Sequence, residues 1–317
     1  MDKNSSIYIA GHRGVVGAAL VRKFQREGFK NLILRTRQEI DLTIREGVFQ
    51  LFAETGPQYV VIAAAKVGGI SANMTSPMEF LLDNLKIQNN IMEACLHFQV
   101  MKTLFLGSSC IYPRECSQPM SEDDFMRGPL EPTNESYAIA KIAGIRLAHA
   151  LYEQYGVNIL CPMPCNVYGP GDHFEFERSH VVSAMVRRFM EAKSNHVKKV
   201  TLWGTGKIRR EFMHVDDLAD ACLFLLRHFD GPDLVNVGTG IDYSIEELAS
   251  MVETVVEYKG ALEWDTTKPD GMPRKLLDVS RFKAMGWKHK IGLEEGLKTV
   301  LEDYGQRFGL VTNGESL

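Results

Sequence analysis

Short apolar runs alternate with longer amphipathic stretches through the first half of the chain. "IYIA" (Ile7–Ala10), "NLILR", "YVVIAAA", "KTLFLG" and "NILCPMP" read as strands buried on both faces. Between them, apolar residues recur three and four apart. "VVGAALVRKFQRE" is a helix stopped by Gly28, where a residue without Cβ fits easily. "EGVFQLFAETG", a long stretch from Pro77 to Phe98, and "ESYAIAKIAGIRLAHALYEQYG" follow the same spacing. Strands alternating with helices predict an α/β fold, a doubly wound parallel sheet with helices on both faces.

After about Asn166 the pattern loosens. A helix is expected around Val181–Lys193 and a strand at "KVTLWG". "EFMHVDDLADACLFLLRHF" and "VNVGTG" read as elements going back into the first layer. The expected division is 1–165, with segments near 211–240 returning to it, and 166–317 as a smaller, partly discontinuous α/β region. The tail after Gly309 reads as loose.

The 317 residues carry a formal net charge of −4, so the chain has no general attraction for nucleic acid or an acidic membrane. Any anion site must be built locally. A polar lead runs straight into the first strand without a secretory core, and no apolar run is long enough to span a bilayer. A cytoplasmic protein is expected. Cysteines 95, 110, 116, 161, 165 and 222 form neither a CxxC pair nor a zinc-like cluster, so no metal is predicted.

"GHRGVVG" sets Gly11, Gly14 and Gly17 three apart, between a strand and a helix. Glycines there permit a sharp turn and let a pyrophosphate approach the helix N-terminus, where free N–H groups and the dipole favour anions. The sheet is therefore of Rossmann type. An NAD-dependent fold usually has an acidic residue about 20 positions on. Here the second strand ends "LRTRQE", with Arg35 and Arg37 in that region and Arg13 in the glycine loop. Arginines suit a 2′-phosphate, which points to NADP(H). Asp41 and Leu42 are candidates to line the adenine.

"YAIAK" places Tyr137 and Lys141 four apart on a helix, so both project from one face. An ammonium near a phenol lowers the phenol's pKa and fits it for proton transfer near neutral pH. Ser108 ends a strand and can bond the same substrate oxygen. In "FLGSSCIYP" a cysteine, Cys110, stands beside two hydroxyls. It could be packing, a metal ligand, a disulfide partner or a proton carrier.

Taken in order, "GHRGVVG", "SSCIYP", "YAIAK", "NVYGPGD", "RREFMHVDDLA", "NVGTG" and "RKLLDVSRFKAMGW" resemble the extended short-chain dehydrogenase/reductases that act on nucleotide sugars. "AAAKVGGI", "EPTNESYAIAKIAG" and "KPDGMPRKLLD" are similar to the epimerase-reductases of that family, which act on GDP-4-keto-6-deoxy-D-mannose. The resemblance implies a catalytic triad of Ser108, Tyr137 and Lys141. It implies an NADP(H) site formed by Gly11, His12, Arg13, Gly14, Val15, Val16, Gly17, Arg35, Arg37, Asp41, Leu42, Leu106, Gly107, Ser108, Tyr137, Lys141, Pro164, Asn166, Val167 and His180. Arg188, Trp203, Arg210 and Asp270 would hold the GDP-sugar. A homodimer through the Pro77–Phe98 and Glu135–Tyr155 helices is also implied.

In related dehydratases the segment resembling "SSCIY" reads "TDEVY", and its glutamate removes a proton beside a keto carbon. Cys110 stands at that glutamate's place. A C4 ketone acidifies the protons on C3 and C5, and a thiol is a usable base once its environment lowers its pKa. The resemblance nominates His180 as the acid on the opposite face. Two other readings stay open: a UDP-sugar 4-epimerase with bound NAD, and a non-catalytic NADP-sensing protein. Arg35, Arg37 and Cys110 speak against the first, and the intact Ser108–Tyr137–Lys141 set against the second.

Overall fold

A computed structural model describes residues 1–175, 179–268 and 270–309. The tail after Gly309 lies outside the described residues. In chain order the elements are β1 (Ile7–Ala10), α1 (Val15–Arg26), β2 (Leu32–Ile33), α2 (Arg45–Thr55), β3 (Tyr59–Ile62), α3 (Ile70–Thr75), α4 (Pro77–His97) and β4 (Lys102–Phe105). Then come α5 (Glu135–Tyr155), β5 (Ile159–Pro164), β6 (Asn166–Tyr168), α6 (Val181–Ser194), β7 (Lys199–Trp203), β8 (Arg209–His214) and α7 (Val215–His228). The remainder are β9 (Leu234–Val237), β10 (Asp242–Ser244), α8 (Ile245–Val256), β11 (Ala261–Asp265), β12 (Arg274–Lys275), α9 (Ser280–Ala284) and α10 (Leu293–Phe308).

Six parallel strands form the main sheet in the order β2-β1-β3-β4-β5-β9. Every residue of β1 and β3 is buried, as expected for strands covered on both faces. Strand order reverses at β1, so a crevice opens beyond its carboxyl end, where open α/β sheets bind ligands. The apolar stripe of α1 buries Ala19, Leu20 and Phe24, and Gly28 ends the helix at φ +84°. Emptying the Phe24 site with alanine would cost about 3–5 kcal/mol.

The "NLILR" strand shrinks to Leu32–Ile33. It is an edge strand paired only with β1 and half-buried, so little apolar contact prolongs it.

A second sheet is built on β8, which pairs antiparallel with β10 and parallel with β12 and β6. A parallel pair, β7 with β11, stands beside it. Helices α6, α8 and α10 give this part its own core around Val186, Phe189, Leu248 and Leu297. The chain then returns to the first layer with α7, which begins at Val215. Arg209–His214 is committed to the second sheet through its three strand partners, whereas α7 packs on α1 and β9 joins β5.

Candidate active site

The glycine turn sits at the crevice beyond β1. Gly11 has φ +82°, and a Cβ there would come within 2.7 Å of the Ala64 backbone just past β3. A Cβ on Gly17 would strike the Gly11 carbonyl, so α1 can approach the turn only with glycine at that position. Gly14 caps α1 without a side-chain hydrogen bond, and the first turn holds no acidic residue. The Nδ1 atom of His12 is buried without a hydrogen-bond partner. Together these features leave an anion cradle of backbone donors.

The cradle forms one end of a cavity of about 1000 Å³. Gly11–Gly17, Arg35, Arg37, Asp41 and Leu42 line that end, with Arg13 in the same wall. Arg35 donates to the Leu34 carbonyl at 2.9 Å, and the largely exposed Arg37 lies 4.0 Å from Asp41. Three arginines outnumber Asp41 in this wall, and no acidic residue ends β2 where a ribose diol would need one. These residues fit NADP(H).

At the other end, Ser108, Cys110, Tyr137, Asn166, Val167 and His180 line the same space. Ser108 leaves β4 and caps a short 3-10 turn, accepting from the Cys110 N–H at 3.3 Å. That turn holds the thiol in the wall, 6% exposed. Burial pushes the Cys110 pKa up; Lys275, the Ser108 bond and Lys141 pull the other way without overcoming it.

Tyr137 and Lys141 share one face of α5, but the lysine is turned away from the cavity. Lys141 is 3% exposed, donates to the Leu106 carbonyl at 2.7 Å and lies 5.7 Å from the Tyr137 ring centroid. Burial lowers its pKa to about 8 and raises that of the Tyr137 phenol. Desolvation is the main cause of the rise in the phenol, and Cys110 adds to it. Leu106, Gly107, Pro164 and Lys141 are not brought to this lining; a Cβ on Gly107 would strike the Met163 side chain.

His180 caps α6 and also lines an adjoining cavity of about 400 Å³, so it stands where the two spaces meet, together with Asn166 and Val167. Trp203, Arg210 and Asp270 line the second cavity. The Trp203 face is 60% exposed. Arg210 donates to the Arg209 and Met272 carbonyls, and Thr205 holds Asp270 through its N–H at 2.9 Å and its hydroxyl at 2.6 Å. Arg188 is not brought to this lining; its guanidinium donates to the Thr201 carbonyl on β7 at 2.8 Å.

Sequence reasoning missed Lys275, Asn134 and Asp172, which all line the larger cavity. Lys275 sits opposite Arg210 in the β12–β8 register, which sets two cations side by side. Asn134 adjoins the start of α5, and its buried Oδ1 has no hydrogen-bond partner. The Asp172 carboxylate bonds His180 Nδ1 at 3.3 Å. The only local signal for Asp172 is its place in "GPGD". Among the described residues, no group of His, Cys, Asp and Glu could hold a metal ion, and no helix is long and apolar enough to cross a membrane.

Residues 7–238 match the model of the NAD dependent epimerase/dehydratase family. The chain is 52% identical over 304 residues to putative GDP-L-fucose synthase 2 of Arabidopsis thaliana, covering 96% of this chain and 93% of that one. It is 47% identical over 305 residues to the GDP-L-fucose synthase of Escherichia coli (strain K12), covering 93% and 95%. The structure superposes with a TM-score of 0.89 on MlghC, a GDP-mannoheptose C4 reductase from Campylobacter jejuni with NADP bound, at 38% identity over 96% and 99% of the two chains. A dinucleotide cradle at the sheet crevice, a Ser–Tyr–Lys set beside it and these matches over nearly the whole length make this chain a member of the NAD dependent epimerase/dehydratase family.

Proposed function

We propose that this chain converts GDP-4-keto-6-deoxy-D-mannose to GDP-L-fucose, inverting C3 and C5 and then reducing C4 with NADPH. The observation that carries this reading is the junction of the two cavities. Cys110, Ser108 and Tyr137 line the cofactor cavity, and His180 lines both it and the space that holds Trp203, Arg210 and Asp270. A 4-epimerase needs no added thiol and imidazole at that point.

The roles follow from the groups. Ser108 and Tyr137 donate to O4, where negative charge develops. That charge makes the C3 and C5 protons removable, and Cys110 is the base. Lys275 and Lys141 favour its thiolate. His180 returns the proton on the other face. Bound in the cradle, NADPH supplies the hydride for C4. Tyr137 then gives its proton to O4, with Lys141 behind it. Arg210 suits the diphosphate, Trp203 offers a flat face, and Asp270 can accept from a ribose or guanine group. Arg188 joins them only by leaving the Thr201 carbonyl.

In this reading 1–165, with the returning segment near 211–240, holds the cofactor, and 166–317 mainly holds the sugar nucleotide. The protein acts as a homodimer in the cytoplasm. Met78 and Leu82 on α4 and Ile139, Tyr152 and Tyr155 on α5 are exposed apolar side chains that a second copy would cover, and all six cysteines are free thiols, as in a reducing compartment. A monomer by light scattering would overturn the dimer.

Incubation with GDP-4-keto-6-deoxy-D-mannose and NADPH tests the activity. The expected result is loss of NADPH absorbance equal to the GDP-L-fucose seen by NMR. A reduced D-series sugar would make the protein a plain C4 reductase. Sugar turnover without NADPH loss would make it an epimerase.

A further inference from the structure

Asp172 is 1% exposed, and both of its carboxylate oxygens are engaged. Oδ1 accepts from the His173 N–H at 2.8 Å and lies 3.3 Å from His180 Nδ1; Oδ2 accepts from the Ser183 hydroxyl at 2.5 Å. The loop carrying Asp172 is anchored to α10. Gly171 N–H donates to Asp303 at 3.0 Å, and Arg307 donates to the Asp172 backbone carbonyl at 2.8 Å. The carboxylate does not cap α6: its bond to that helix is to the Ser183 hydroxyl, not to a first-turn N–H. Among the described residues, its ion-pair partner is His180.

We infer that Asp172 is a positioning residue for His180, holding Nδ1–H so that Nε2 is left to the cavity as the proton donor on the face opposite Cys110. This rests on the reading of His180 as the acid. A carboxylate can only accept, so Nδ1 must carry a proton, and the neutral ring then has the tautomer that a second proton on Nε2 turns into an acid. The same bond stabilises the imidazolium. It raises the His180 pKa, while burial of Asp172 is outweighed by its hydrogen bonds, which hold that carboxyl below its usual range. In the step itself the Nε2–H bond breaks and a C–H bond forms at the carbanion. The charge on O4 returns to the carbonyl, and the neutral ring regains a proton from water at its exposed edge, 49% accessible.

Other titratable or charged groups face His180. Cys110, Tyr137, Lys275 and His173 line the larger cavity with it, and Arg210 and Asp270 the smaller one. None is hydrogen-bonded to His180 as Asp172 is.

The test uses the full chain with 15N-labelled histidine, the His180 signal being assigned by its loss in His180→Gln. In the wild type His180 should titrate above the ordinary value of about 6.5, with Nδ1 protonated in the neutral form. Asp172→Asn should lower that midpoint by about one pH unit or more. Without NADPH, inversion of the ketone by this variant should fall at least about tenfold near pH 8 and recover as the pH is lowered, while deuterium uptake from solvent persists. Ser183→Ala, which loosens one carboxylate oxygen, should shift the midpoint the same way by less. It decides the matter if the Asn variant does not fold. A wild-type midpoint at or below the ordinary value overturns the inference. So does an unmoved midpoint and inversion profile in Asp172→Asn, or in Ser183→Ala where the Asn variant fails to fold. If His180→Gln still inverts the sugar, the reading of His180 as the acid falls. If it does not invert and Asp172→Asn matches the wild type, only the role of Asp172 falls.

Discussion

The Lys141 ammonium donates to the Leu106 carbonyl at 2.7 Å and stays 5.7 Å from the Tyr137 ring centroid. The lysine that sequence spacing places on one helix face with Tyr137 is thus bound to a carbonyl one residue past β4 rather than to the phenol. Because burial lowers the Lys141 pKa to about 8, the proton is lost from the free enzyme as pH rises through that value. The folded-state pKa lies below the ordinary lysine value of 10.5, so unfolding free energy rises between about 8 and 10.5 as the folded state is relieved of a buried charge. We expect kcat/KM for the reduction to fall as pH rises through about 8. Lys141→Arg should move that limb upward. A profile flat across this range would detach Lys141 from the chemistry.

Arg35 and Arg37 face the cofactor groove from beyond β2. Changing both to alanine should weaken NADPH binding by about 1.5–3 kcal/mol per lost charged hydrogen bond, with NADH nearly unaffected. Titration of both cofactors by fluorescence checks this, and an equal loss for the two would remove the arginines from 2′-phosphate recognition.

Tyr137→Phe keeps the ring and removes one oxygen. Reduction should drop about 10²-fold or more, as for loss of a placed general acid, with thermal unfolding little changed. Near-wild-type turnover would leave Tyr137 a structural role alone.

Cys110→Ser should block deuterium exchange into C3 and C5 while sparing hydride transfer. A hydroxyl nearly fits the thiol's place, but its pKa is far too high for a base near neutrality. The unepimerised ketone would then be reduced to a D-series 6-deoxy sugar. Exchange at the wild-type rate would make Cys110 packing.

Lys275 is the largest influence opposing the rise of the Cys110 pKa. Lys275→Met should therefore move the pH at which Cys110 is alkylated upward. Mass spectrometry of iodoacetamide-treated protein reads this directly, and an unchanged alkylation profile would separate the two residues.

What the sequence determined by itself rests on near neighbours along the chain. Glycines at 11, 14 and 17 form a cradle because a βα turn needs only local backbone freedom, and apolar spacing placed α1, α4 and α5 because helices and strands have fixed periods. Ser108, Cys110 and Tyr137 share one cavity lining because β4 ends and α5 begins at the crevice that such a sheet opens. Only tertiary structure decided where long side chains turn. Lys141 reaches the Leu106 carbonyl and Arg188 that of Thr201, since each N–H group takes the acceptor that packing brings near. The same holds for Lys275, which lies 165 positions from Cys110 along the chain and shares its cavity wall only because β12 pairs with β8. Asp172 and Ser183 are joined by a side-chain bond that no backbone period encodes, because it depends on how a loop held by α10 is laid over the start of α6.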